Sequence, residues 1–302
     1  MTRNTRNRSM LALGLISACM LSVSGAAYAT SARTGTTDIP KLQTIEDTVY
    51  PLDAYKPSPE QVAELTSAMR YSLSDCMSRF GFTNYPKQRV HTVTRPFPKD
   101  RQYLFIEPSK AAQYGYAGMP ASELSGRPDA VDVKAKPSAD EQAVYTGRNQ
   151  GLYRGVQVPA GGCLGQARRS VLAGMSSDDE WFVTQLEGQA FQQGEADARV
   201  TDATARWSTC MARAGHSYAN PEAAWEDSRW TARREGGPLT DVEKAVAEAD
   251  MKCKLEVNYL GVRYTADKEA QERLVAGNGA RLKKVTEALR AQLRDAAKVL
   301  GD

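Results

Sequence analysis

Histidine is almost absent from this chain: His91 and His216 are the only two. General-base chemistry near neutral pH therefore has few places to come from. No two cysteines have the C-x-x-C spacing of zinc or dithiol sites, which argues against a bound metal or a cofactor. A membrane-spanning helix needs roughly 20 apolar residues, and the apolar stretch from Met10 to Val23 has 14. Excess charge is missing as well. There are 39 Lys+Arg and 36 Asp+Glu, but Arg3, Arg6 and Arg8 all precede Thr30. Setting those three aside leaves 36 basic groups against 36 acidic ones. A balanced chain gives no electrostatic case for binding nucleic acid or an anionic membrane.

What is present at the start reads as an export signal. Three arginines without a nearby acid precede the apolar stretch, and Ala27-Tyr28-Ala29 supplies the small-x-small pattern for cleavage. Residues 1–29 are thus expected to be a signal peptide. A second cut is offered by Ile16-Ser17-Ala18-Cys19, which resembles a lipobox, with Cys19 as the acylated residue. Met20, Leu21 and Val23 prolong the apolar run beyond Cys19, so cleavage after Ala29 is preferred. The protein is expected to be secreted, or lipid-anchored at the outer face of the cytoplasmic membrane if Cys19 is acylated. Membrane contact is expected only in that second case.

Either cut leaves Cys76, Cys163, Cys210 and Cys253, an even set that predicts two disulfides in an oxidising compartment. Four cysteines allow three connectivities. A weak internal repeat favours one of them: Cys76-Met77-Ser78-Arg79-Phe80-Gly81 matches Cys210-Met211-Ala212-Arg213-Ala214-Gly215. Leu73 and Trp207 stand one turn before each cysteine, and each copy reads as the last turn of a helix closed by Gly at C′. One bridge per half, Cys76–Cys163 and Cys210–Cys253, is the simplest pairing.

Residues 30–56 are rich in Thr and Ser and lack periodicity, so they are expected to form a flexible tether or to lie over the surface. A capping box at Ser58 and Gln61 opens a helix whose apolar stripe runs Val62, Leu65, Met69, Leu73, Cys76 and Phe80. From residue 82 to 157 the chain is punctuated by Pro and Gly. Short helices are expected near 109–115 and 138–147, and a brief strand at Gln102 to Ile106. A helix follows from Gly161-Gly162, then others near 178–191 and 200–213. A second capping box at Thr240 and Glu243 starts a stripe through Val246, Cys253, Leu260 and Tyr264. A last stripe holds Leu282, Val285, Leu289, Leu293, Ala296 and Leu300. Gly277-Asn278-Gly279 argues for a break between them, yet the stripes stay in helical phase, which favours one long, kinked helix over a hairpin. The fold expected is mainly α: a two-lobed helical unit, with lobes at 57–175 and 176–302, two disulfides and a long C-terminal helix or helical hairpin.

The chain resembles a group of secreted or lipid-anchored actinomycete (Streptomyces-type) proteins of no assigned activity. The similar pieces are Tyr50-Pro51-Leu52-Asp53-Ala54-Tyr55, the two Cys-Met copies, Tyr114-Gly115-Tyr116, Val158-Pro159-Ala160-Gly161-Gly162-Cys163 and Ala249-Asp250-Met251-Lys252-Cys253. The resemblance implies export and a helical build, and it carries over no catalytic residue.

Chemistry-bearing patterns are weak. Gly161-Gly162-Cys163-Leu164-Gly165 has the form of a nucleophile elbow, but it lacks the strand before it, and Cys163 has a disulfide role. Asp178-Asp179-Glu180 reads as a solvated helix start before it reads as a cation site. Trp207, Trp225 and Trp230 read as packing residues before they read as a groove. No catalytic, cofactor-binding or metal-binding residue is assigned. The surface best suited to a partner is the last stripe, Leu282, Val285, Leu289 and Leu293, which would form a coiled-coil-like contact if its helix projected. Intramolecular cover is the preferred alternative. The function expected is a non-enzymatic cell-envelope or extracellular interaction protein, using that helix on a protein partner. The competing class is a secreted hydrolase with a hidden site.

Overall fold

Helices form where the capping boxes and stripes call for them. The computed structural model describes residues 38–91, 99–117, 137–148, 151–172, 174–230 and 238–301. The signal segment, Cys19 and the first part of the expected tether lie outside the described residues. Ser58 accepts from the Gln61 N–H and Gln61 reaches back to Ser58, opening α1, Pro59–Arg79. Short helices follow: α2 (Lys99–Gln102), α3 (Pro108–Tyr114) and α4 (Ala139–Thr146). Next come α5 (Gly162–Leu172), α6 (Ser177–Glu180), α7 (Phe182–Glu195) and α8 (Ala198–Arg213). After α9 (Pro221–Trp225) the Thr240 cap opens α10 (Asp241–Glu256), then α11 (Tyr259–Gly277) and α12 (Gly279–Leu300). Among the described residues, the strands are β1 (Leu152–Tyr153) and β2 (Val156–Gln157), one antiparallel hairpin.

The pairing Cys76–Cys163 and Cys210–Cys253 is present, with Cα separations of 5.5 and 5.7 Å. Both bridges fit a chain folded in an oxidising environment. The two Cys-Met copies also end alike. The Phe82 N–H donates to the Met77 carbonyl at 3.1 Å, and the His216 N–H to the Met211 carbonyl at 2.9 Å. Gly81 and Gly215 take φ of 84° and 87°, the left-handed turn that L residues resist. The repeat is thus a repeated Schellman-capped, disulfide-tied helix end.

The halves share their cores rather than standing apart. Tyr103, Phe105, Ala111 and Tyr116 pack with Trp207, Met211, Trp230, Val246 and Met251. Residues 38–56, expected as part of a tether, are laid into the molecule: Ile45 and Leu52 are fully buried. Their sequence hides this because a buried irregular segment has no period. Its anchors are side chains instead. Asn258 accepts from the Leu42 N–H and donates to the Pro40 carbonyl, and Gln271 accepts from the Leu52 N–H at 3.0 Å.

Two further expectations change, and the choice left at Gly277-Asn278-Gly279 falls to the interrupted long helix. Gln102 to Ile106 is no strand: α2 ends there, Leu104 takes φ 52°, and the Tyr103 and Phe105 N–H groups both return to the Asp100 carbonyl. The stripe from Thr240 to Tyr264 is broken at Asn258, which is left-handed at φ 55° and is held so by its bonds to residues 40 and 42. Asn tolerates that conformation better than other non-glycine residues. Asn278 also separates α11 from α12, but the two do not fold back as a hairpin. α11 packs on α7, whereas α12 packs on α1 and α5.

Candidate functional site

The apolar face of α12 is covered by this chain. Leu282 and Val285 pack with Leu52, Phe182, Val183 and Leu186, while Leu289 and Leu293 lie against the cluster of Leu65, Ala68 and Val171. Of the four residues expected as a partner surface, Leu282 and Val285 are buried within this chain and Leu289 and Leu293 are partly covered by it, the intramolecular alternative.

The other weak patterns resolve to structure too. Cys163 is bridged and begins a helix, so it is no free nucleophile. His91 is exposed and His216 half-buried. Asp179 accepts from the Arg281 guanidinium at 2.8 Å, and Arg281 also reaches the Asp178 carbonyl, which uses that acidic turn as a helix-to-helix clamp. Trp207 and Trp230 are buried. Among the described residues, no cluster of His, Cys, Asp and Glu is placed to hold a metal ion, and no helix is long and apolar enough to cross a membrane.

Two buried ion pairs were not anticipated. Both join residues four apart on one helix face. In α10, Lys254 donates to Asp250 at 3.1 Å, and both side chains are fully buried. Trp207 Nε1 donates to the other Asp250 oxygen at 2.8 Å, and Lys254 also reaches the Leu104 carbonyl at 2.5 Å. Burial pushes the Asp250 carboxyl up and the Lys254 ammonium down, and their mutual attraction opposes both shifts. In α11, Arg263 faces Asp267 at 3.5 Å. Its guanidinium stacks over Phe191 at 4.6 Å and Tyr103 at 5.4 Å. The Tyr103 hydroxyl donates to Asp267 at 2.5 Å and meets the Tyr50 hydroxyl at 2.9 Å. Here the set is incomplete, because Arg263 Nε and Asp267 Oδ1 have no partner. Burial raises the Asp267 carboxyl to about 6, against the opposing Arg263 charge and Tyr103 bond.

This second network borders a pocket of about 510 Å³. Four segments build it. The 3-10 turn Pro51–Tyr55, with its flanks, brings Tyr50, Asp53 and Lys56; the turn at α2 brings Lys99, Gln102 and Tyr103. α7 divides cleanly between two faces. Val183, Leu186, Ala190 and Gly194 are buried, while Thr184, Glu187, Gly188 and Gln192 line the pocket. α11 contributes Asp267 and Gln271 one turn apart. At the rim Lys56 bonds Asp53 at 2.7 Å and also Glu187. Burial works against the Asp53 carboxylate, but the Lys56 and Tyr50 bonds hold it below its ordinary value. The same two carboxylates raise Lys56 against its burial.

Compared with protein-family models, curated proteins and solved structures, the chain matches none. Geometry alone therefore has to speak for this site, and two glycines of α7 say most. At Gly194 a Cβ would lie 1.7 Å from Asp267 Oδ1, so packing demands glycine there. At Gly188 a Cβ would meet nothing within 4 Å. A helix-interior glycine costs about 1 kcal/mol relative to alanine, and at Gly188 no neighbour requires it. What it leaves is open space on the exposed side of α7 that borders the pocket.

Sequence reasoning missed this site for identifiable reasons. Arg263 and Asp267 look the same as the surface pair Lys268–Glu272 in a sequence. Tyr50 and Tyr103 sit in segments read as tether and strand. What the sequence does carry is a pair of glycines, Gly188 and Gly194, inside one helical stretch.

Proposed function

We propose that the protein is an exported, non-enzymatic binding protein of the cell envelope or extracellular space, and that the pocket against α7 and α11 is its recognition site. The observation that carries this reading is Gly188, which keeps open a space that no packing contact requires. The pocket's size lies within the range usual for small-molecule sites. Three aromatic residues line it among polar groups already fixed by ion pairs, the preorganised arrangement that recognition favours. The paired cysteines support export, and the covered face of α12 moves recognition away from the C-terminal helix.

The test fills the pocket without disturbing the core. Gly188→Trp starts from a Cβ that meets nothing within 4 Å, so the variant should keep wild-type helicity and melt no lower than wild type. Native mass spectrometry against a mixed panel of sugars, amino acids, dipeptides and nucleosides should show an adduct with wild type that the variant lacks. Equal adducts on both proteins would reject the pocket as the site.

One observation favours a second reading, a secreted hydrolase. Asp267, raised to about 6 beside a pocket, is the kind of carboxyl that can serve as a general acid. The two readings separate on turnover: a bound ligand recovered unchanged after long incubation supports binding, whereas cleavage abolished by Asp267→Asn would establish the enzyme.

A further inference from the structure

The chemical class of ligand can be narrowed from the pocket's own charges, resting on the pocket reading above. Five formally charged side chains line it, and each already has an opposite partner within the protein. Lys56 is shared by Asp53 and Glu187, Lys99 approaches Asp53 at 3.7 Å and donates to the Thr48 carbonyl, and Asp267 faces Arg263. A ligand bearing net charge would meet groups whose charges are already compensated, so it would gain little attraction for the cost of its own desolvation. A neutral ligand leaves all of them intact and can use the spare hydrogen-bonding capacity of the same groups.

The uncharged lining points the same way. Gln102, Thr184, Gln192 and Gln271 offer amide and hydroxyl groups that both donate and accept. Half-buried Phe191, beside the buried Tyr50 and Tyr103, supplies aromatic surface for the apolar C–H face of a ring. Dense, two-way hydrogen bonding beside an aromatic wall suits a molecule whose edge is all hydroxyls and whose face is carbon. We propose that the pocket binds a neutral, hydroxyl-rich ring compound, a mono- or disaccharide, lying over Gly188.

Saturation-transfer NMR on the full exported chain tests this with glucose, N-acetylglucosamine and cellobiose, alongside glucuronic acid, glucosamine, arginine and glutamate. Neutral sugars are expected to bind, with affinity nearly flat in salt because no ion pair forms or breaks. Binding should fall at least tenfold in Gly188→Trp and in a second plug on the exposed rim, Thr184→Phe, each checked for folding by circular dichroism. Binding confined to the charged compounds, and lost in both plugs, would overturn the sugar assignment and keep the pocket. Sugar binding unchanged in both folded plugs would overturn the pocket itself. No binding by any compound to the wild type would reject the assignment to sugars.

Discussion

Two ion pairs with the same spacing, on consecutive helices, have opposite surroundings. Asp250–Lys254 is sealed: both carboxylate oxygens are bonded and the ammonium reaches a second acceptor. Arg263–Asp267 lies beside a pocket, with one carboxylate oxygen and one guanidinium nitrogen unpartnered. A buried ion pair is rarely a net source of stability, because desolvation offsets the attraction. The sealed pair is best understood as a latch that ties Trp207 and the 104 turn to α10. The open pair has hydrogen-bonding capacity left over, and unused capacity beside a cavity marks a place to look for function.

The contrast can be broken most severely on the sealed side. Lys254→Met leaves Asp250 buried without its counter-charge, and urea denaturation should show a loss of about 3–5 kcal/mol. Adding Asp250→Asn should restore part of it, since the amide still accepts from Trp207. A double variant no more stable than Lys254→Met would show that packing, not charge, sets the cost.

On the open side the prediction is a change of slope. Asp267 binds its proton more tightly in the fold, near 6, than at its ordinary 3.8. Its contribution is therefore fully present below the ordinary value and is lost as pH rises through 6. Two units correspond to up to about 3 kcal/mol between pH 4 and 6. Asp100 and Asp250 are raised as well and tilt stability in the same sense, so the readout is the difference between wild type and Asp267→Asn. The variant should lose that share of the slope; parallel curves would mean that Asp267 titrates normally.

Trp207→Phe tests the latch more gently. The phenyl ring leaves a small cavity at this fully buried position, and Asp250 loses its 2.8 Å donor, at about 1–3 kcal/mol for an orphaned buried acceptor. The corresponding Leu73 in the first half packs on an apolar cluster, so Leu73→Ala should cost only what its half-buried surface contributes.

This pairing of halves shows how far sequence reaches. Helix starts at Ser58 and Thr240, the glycine caps and both disulfides are local chemistry, and local chemistry is written in spacing. The buried segment 38–56 and the break at Asn258 are not, because each exists only through the other: residues 40 and 42 bond to an asparagine more than 200 positions away. The pocket is less legible still. It is assembled from four segments whose side chains look like ordinary surface polar groups until the fold brings them together.

The finest test compares two glycines in one helix. Gly188→Ala adds a methyl where nothing lies within 4 Å, so it should raise stability by about 0.5–1 kcal/mol through helix propensity alone. Gly194→Ala drives its Cβ toward Asp267 Oδ1 and should lower stability despite the same propensity gain. If the Asp267 contact is the reason, then Asp267→Ala removes the obstacle. The double variant Gly194→Ala, Asp267→Ala should then lose less than its two singles together, whereas Gly188→Ala should add independently to either. Additivity at both positions would mean that Gly194 answers to the packed helix backbone of α11, and the close approach that orients Asp267 beside the pocket would have to come from elsewhere.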